Sequence, residues 1–227
     1  MLRALYARVA QRLVADRRLV HYVDVPAGDA ATTPWSDLGF GRELVQGLMA
    51  VKARGRQPRG VDGMVIRRAG PGDLPQVGRM AAESARRQRG TATFQPQPEA
   101  ALAALRVRYA GALGDPRCAA WIASRRGEEI GMVLLAPAEP DPVVPASCVE
   151  LLETYVEPAS RGEGISRVLL ATAVAWAYDN GHRYMSARWP SASPLAAGHF
   201  PAIGFRPVAY RLSRVLDSRL TGQAGTF

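Results

Sequence analysis

The chain has 227 residues, 48% of them hydrophobic, enough to bury one good core and part of a second. No apolar run approaches the roughly 18 residues a membrane helix needs, and arginines interrupt the apolar pattern of the first 19 residues, so export is not expected and the cytoplasm is the default location. The net charge of +9 is almost wholly arginine, with Lys52 the single lysine; an Arg- and Ala-rich composition of this kind follows from a GC-rich genome and is weak ground for nucleic-acid binding.

In chain order, Leu2, Leu5, Tyr6, Val9, Leu13 and Val14 recur at helical spacing, a strand follows over 21–27, then a short helical piece and the turn Leu38-Gly39-Phe40-Gly41. Residues 51–63, rich in Arg, Gly and Pro, read as a linker without aromatic residues for base stacking. Val65 and Ile66 open a new strand, Gly72 and Asp73 make a turn and helix cap, and Leu74, Val77 and Met80 mark a helix. A loop at 90–97 precedes a helix from Pro98, and 118–124 with 129–136 form a hairpin. Cys118 and Cys148, isolated in apolar runs with no histidine spacing, read as buried inert thiols, so neither a disulfide framework nor a metal site is expected. The remaining elements are a strand over 149–156, a proline-bearing turn at 157–160, a glycine-bearing loop at 161–166 opening an amphipathic helix, a strand at 183–189, a helix at 193–202 and a last strand at 205–212.

Two segments repeat. Residues 5–40 align with 169–205, placing Pro26 on Pro190, Trp35 on Phe200 and Gly39-Phe40 on Gly204-Phe205, with the order helix, strand, helix, strand in both.

The loop Arg161, Gly162, Glu163, Gly164, Ile165, Ser166 suits an anion. Glycines let successive N–H groups point into one concavity, and the positive end of the helix dipole lies behind them. It is not a Walker A loop, because no Gly-Lys-Ser/Thr follows, and Arg167 stands where a dinucleotide fingerprint needs its third glycine. From the loop alone, a plain strand-to-helix turn is the competing reading.

The run Tyr155-Val156-x-Pro158-x-x-Arg161-Gly162-x-Gly164-Ile165 resembles the acetyl-CoA signature of the GNAT superfamily of N-acetyltransferases, Arg/Gln-x-x-Gly-x-Gly/Ala, with Ser166 departing from Gly/Ala at the last position. The resemblance extends over about 64–216. It implies an α/β fold with a mixed, mostly antiparallel sheet flanked by helices, in which the parallel strands 149–156 and 183–189 splay apart. It divides the chain into a partial GNAT-like half-module at 1–50, the linker at 51–63, a GNAT domain at 64–216 and a tail at 217–227. The half-module resembles the second half of another GNAT module, either the vestige of a tandem protein or the remainder of a longer chain.

The resemblance also implies acetyl-CoA as co-substrate, its pantetheine paired with the backbone near Tyr155 and Val156 and its pyrophosphate in the loop from Arg161 to Ser166, with the Val156 N–H polarising the thioester. Glu150 matches a base position used by some members and stands first as catalytic base, with Glu153 second; by strand alternation Glu150 shares a face with Thr154 and Val156 while Glu153 faces the other way. Both carboxylates as structural partners of arginines is an equal reading. The family tyrosine that protonates the departing thiolate is replaced by Phe200, beside the cofactor; His199 is the weaker substitute acid. The loop at 90–97, with Phe94, covers the acceptor in this family, although Phe94 as a loop anchor is an equal reading. The expected activity is acetyl transfer to a primary amine of a small molecule or peptide, with no membrane or nucleic-acid partner and homodimer formation open. The alternative is a non-catalytic acyl-CoA-binding module.

Overall fold

The computed structural model describes residues 1–53, 60–90, 98–139 and 141–221. In chain order these form α1 (Leu2–Ala15), β1 (Val20–Pro26), α2 (Asp29–Ser36), β2 (Gly41–Ala50), β3 (Met64–Arg68), α3 (Leu74–Gly90), α4 (Glu99–Gly114), β4 (Ala119–Arg125), β5 (Glu128–Pro137), β6 (Cys148–Val156), α5 (Ile165–Asp179), β7 (Tyr184–Pro190), α6 (Pro194–Ala202) and β8 (Arg206–Val215). The expected elements are present with ends displaced by a few residues. Phe94 and its loop, and part of the expected linker, lie outside the described residues.

The chain divides into two compact units, Met1–Gln46 with Pro207–Phe227, and Gly47–Arg206. In the larger unit the strand order is β2-β7-β6-β5-β4-β3. β3 through β6 are antiparallel neighbours and β6/β7 is parallel, so the sheet is mixed and mostly antiparallel. Helical spacing brings Val77 and Met80 of α3, and Tyr109, Ala112 and Leu113 of α4, onto one face of this sheet, where they meet Ile122, Met132, Leu134 and Tyr155. Local chemistry sets the connections. Asp73 accepts from the Gly70 N–H at 2.9 Å and holds the Arg67 guanidinium through both carboxylate oxygens, closing the turn before α3. Arg126 and Gly127, both at positive φ, make the two-residue turn between β4 and β5.

In the smaller unit the order is β1, β8 and the first part of β2, as far as Gln46. β8 pairs with β1 from Val20↔Val215 to Pro26↔Ala209, so the last strand counts with the N-terminal segment, a non-local pairing that reading the chain in order does not anticipate. Tyr6 of α1 packs with Val25, Phe40 and Leu212, and its hydroxyl meets the Nδ1 of buried His21 at 2.8 Å.

A break in alternation sits in β6. Its ladder with β5 runs from Gly131↔Val156 to Leu134↔Glu153 and then steps to Leu135↔Leu151, leaving Leu152 as an extra residue. Glu150 opposes Ala136 and Glu153 opposes Leu134, two positions on one face of β5, so both carboxylates lie on the face covered by α3 and α4. The expected opposition of Glu150 and Glu153 is thereby corrected: one bulged residue shifts the parity.

Candidate functional site

The parallel ladder of β6 and β7 starts at Cys148↔Tyr184 and ends at Leu151↔Ala187, although β6 continues to Val156 and β7 to Pro190. The bulge at Leu152 begins where this ladder stops, turning β6 away from its neighbour. The Glu157 N–H donates to the Ile130 carbonyl at 2.8 Å, so by antiparallel alternation Tyr155 directs its backbone groups to β5, while the Val156 N–H and the Thr154 carbonyl turn toward the opened side. The Tyr155 ring is buried on the face of α3 and α4, its hydroxyl donating to Glu157 Oε2 at 2.8 Å. Gly131 permits this geometry: a Cβ there would stand 2.9 Å from the Tyr155 carbonyl oxygen.

Directly after the opening comes the turn Pro158–Ser160 and the glycine loop. Gly162 and Gly164 have φ of 86° and 89°, and a Cβ on either would project into open space. Gly164 is the N-cap of α5, with no side chain capping the helix, so the first N–H groups of Ile165 and Ser166 are presented outward. Ile165 anchors the start of the helix in the core. The Arg161 Nε donates to the Val156 carbonyl at 3.1 Å, folding the loop back over the end of β6. Glu163 is ion-paired with Arg125 at the end of β4, which also reaches Ser160 Oγ at 3.2 Å; this pairing holds the Glu163 carboxyl below its ordinary range. The loop, the helix start and the opened strand pair fit a long ligand that carries phosphates at one end.

The two carboxylates of β6 differ in their partners. Glu150 Oε2 accepts from Arg108 of α4 at 2.8 Å. Glu153 meets neutral donors: Tyr109 OH at 2.9 Å, the Thr154 N–H at 3.1 Å, and Ser84. Burial outweighs these bonds and pushes the Glu153 carboxyl up to about 7, while the residue retains partial solvent exposure. Tyr109 is held in its protonated form by burial and by the adjacent Glu153.

Phe200 is buried, stacked on Trp189 with ring centroids 4.6 Å apart and an 11° interplanar angle, and set edge-on to Phe205 at 5.5 Å. It is a wall of an aromatic cluster and brings no proton. Burial and the charge of Arg167 both lower the His199 pKa, which favours the neutral imidazole. Among the described residues no group of His, Cys, Asp and Glu could hold a metal ion, and no helix is long and apolar enough to cross a membrane.

Sequence reasoning missed Tyr109 and Arg125, since Tyr109 joins the site from α4 and Arg125 from the end of β4, positions with no local motif. Residues 80–205, more than half of the chain, match the Acetyltransferase (GNAT) family. The chain belongs to the GNAT acetyltransferase family. Solved GNAT structures share its fold. A GCN5-related N-acetyltransferase from Sphaerobacter thermophilus has a TM-score of 0.65 at 14% identity, over 94% of this chain and 68% of that one. A tandem GNAT protein from the clavulanic acid biosynthesis pathway has a TM-score of 0.58 at 14% identity, over 94% and 69%. A GCN5-related N-acetyltransferase from Ralstonia eutropha JMP134 has a TM-score of 0.51 at 24% identity, over 64% and 94%. No curated protein matches the chain. The GNAT fold assigns the larger unit's parallel β6/β7 pair and its helices to an acetyltransferase.

Proposed function

We propose that the protein transfers an acetyl group from acetyl-CoA to a primary amine of a small molecule or a peptide by direct attack on the thioester. The observation that carries this reading is the succession of three features along β6 and its exit: the end of the β6/β7 ladder after Leu151 and Ala187, Glu153 two residues on, and the uncapped glycine loop at the start of α5.

When bound, acetyl-CoA supplies an acyl group activated as a thioester. The Thr154 carbonyl would accept from its pantetheine on the open side of β6, and the N–H groups behind Gly162, Gly164, Ile165 and Ser166 would hold its pyrophosphate, with the exposed Arg161 at the mouth of the loop. The Val156 N–H donates to the thioester carbonyl, where negative charge grows during attack. Glu153 takes a proton from the incoming ammonium. A base near pH 7 suits that step, and its neutral partners leave it free to accept the proton, whereas Glu150 is already held by Arg108. The amine nitrogen forms the amide bond as the C–S bond breaks, and the second proton that it sheds passes to the CoA sulfur once the thiolate has left. A thiolate with a pKa near 8.5 leaves without an acid, so the absence of a hydroxyl at Phe200 costs rate only. Tyr155 and Phe200 act as packing beneath and beside the groove.

The N-terminal unit, with helix, strand, helix and strand in the order of α5, β7, α6 and β8, supports a GNAT-like half-module. A second reading, a module that binds acyl-CoA without turnover, is favoured by the sealed aromatic cluster around Phe200. Calorimetry with acetyl-CoA followed by an amine screen separates the two: binding with turnover that Glu153→Gln sharply lowers supports the enzyme, binding without turnover of any amine supports the module, and no binding by the folded chain defeats both.

A further inference from the structure

The glycine loop carries a negative charge where a phosphate site should have none: Glu163 lies between Gly162 and Gly164, at the positive end of α5. A carboxylate so close to a pyrophosphate would repel it. The structure gives this carboxylate one cationic partner. Arg125 donates to both oxygens of Glu163 and, through Nη2, to the hydroxyl of buried Ser160 at 3.2 Å. Its fork therefore spans the loop, fixing the residue before Arg161 and the residue after Gly162. Arg125 is itself placed by the rigid turn at Arg126 and Gly127 and by pairing with Glu128 across the hairpin. Both side chains of the ion pair keep about a third of their surface, 28% for Arg125 and 36% for Glu163, so the pair lies at the rim of the loop.

We propose that Arg125 is a positioning residue for the phosphate loop: it neutralises Glu163, draws its carboxylate to the hairpin side, and ties it to Ser160 so that no uncompensated negative charge faces the pyrophosphate. The proposal rests on reading the loop as an acyl-CoA site.

Calorimetry of the full chain with CoA, and with pantetheine as a probe lacking the pyrophosphate, tests it in the wild type, Arg125→Gln, Arg125→Lys, Glu163→Gln and the double variant Arg125→Gln/Glu163→Gln. Arg125→Gln should weaken CoA about 10-fold, the size of one uncompensated charge, and weaken pantetheine much less. Arg125→Lys keeps the charge but loses the fork and should fall between. Adding Glu163→Gln to Arg125→Gln should restore CoA affinity to within about threefold of the wild type, because the repulsion goes with the carboxylate. A double variant as weak as Arg125→Gln would mean that Arg125 grips the phosphates itself, and the proposal would fall. It would fall equally if Arg125→Gln bound CoA as the wild type does. A wild type that binds no CoA would instead overturn the acyl-CoA reading of the loop.

Discussion

Glu153 is the residue on which the catalytic reading turns, and Glu153→Gln separates its two consequences. Glutamine keeps the shape and still accepts a hydrogen bond from Tyr109 but cannot take a proton. A positioned general base contributes roughly 10²- to 10⁴-fold, so kcat/KM at pH 8 should fall by about two to three orders of magnitude. The wild-type profile should rise with pH through a limb near 7, and the variant should lack that limb. The second consequence is stability. Glu153 is raised from 4.5 to about 7 in the folded chain. Below pH 4.5 both states hold the proton and the carboxyl costs nothing. As pH rises toward 7 the unfolded chain loses its proton first, so the folded state weakens by an amount that reaches about 3 kcal/mol by pH 8, at about 1.4 kcal/mol for each pH unit between the two values. Urea denaturation should therefore find Glu153→Gln close to the wild type at pH 4.5 and more stable than it at pH 8. A variant that is less stable at both pH values and keeps the wild-type pH–rate limb would refute the assignment, because the carboxylate would then be a structural partner of Tyr109 and nothing more.

Glu150→Gln should reduce kcat/KM by less than about 10-fold, since Arg108 already occupies that carboxylate; a loss as large as that of Glu153→Gln would reverse their roles. Gly164→Trp places an indole in the open space before α5 and a side chain on a left-handed φ of 89°, and should abolish acetyl-CoA binding measured by calorimetry, with the circular dichroism spectrum recorded to show that the chain stays folded. Gly131→Val drives a side chain against the Tyr155 carbonyl, 2.9 Å from the Cβ position, and should cost about 1–3 kcal/mol in urea denaturation; retained stability would mean that β5 and β6 have more room than their register implies. Tyr6→Phe leaves the buried His21 without its 2.8 Å partner and should cost about 1–2 kcal/mol.

The features that sequence made legible are those set by local chemistry. The helix periodicities, the glycine loop before Ile165 and the hairpin turn at Arg126 and Gly127 follow from residues within a few positions of one another. The opening between β6 and β7, expected from the resemblance, has its physical counterpart in a ladder that stops at Leu151. Alternation failed at Leu152, because a bulge is decided by the fit of two strands and not by the sequence of one. The same non-locality hid the pairing of β8 with β1, and it hid Tyr109 and Arg125, which lie 44 and 38 residues from the groups they hold.

The partners of the carboxylates around the groove show why Glu153 stands apart in a chain this rich in arginine. Glu150 is held by Arg108, Glu157 by Arg79 and Glu163 by Arg125, so each of these carboxylates has a guanidinium beside it. Glu153 has Tyr109, Ser84 and a backbone N–H in place of a guanidinium. Donors without charge stabilise the anion less than a cation does, and burial then decides the balance, moving the proton equilibrium to about 7. An arginine at position 109 would place a cation beside Glu153 and pull its pKa back down. On this reading, Tyr109→Phe should keep the pH–rate limb and shift it upward, because the bond that lowers the Glu153 pKa is lost. A limb that stays in place or moves downward would show that the titrating group is not Glu153.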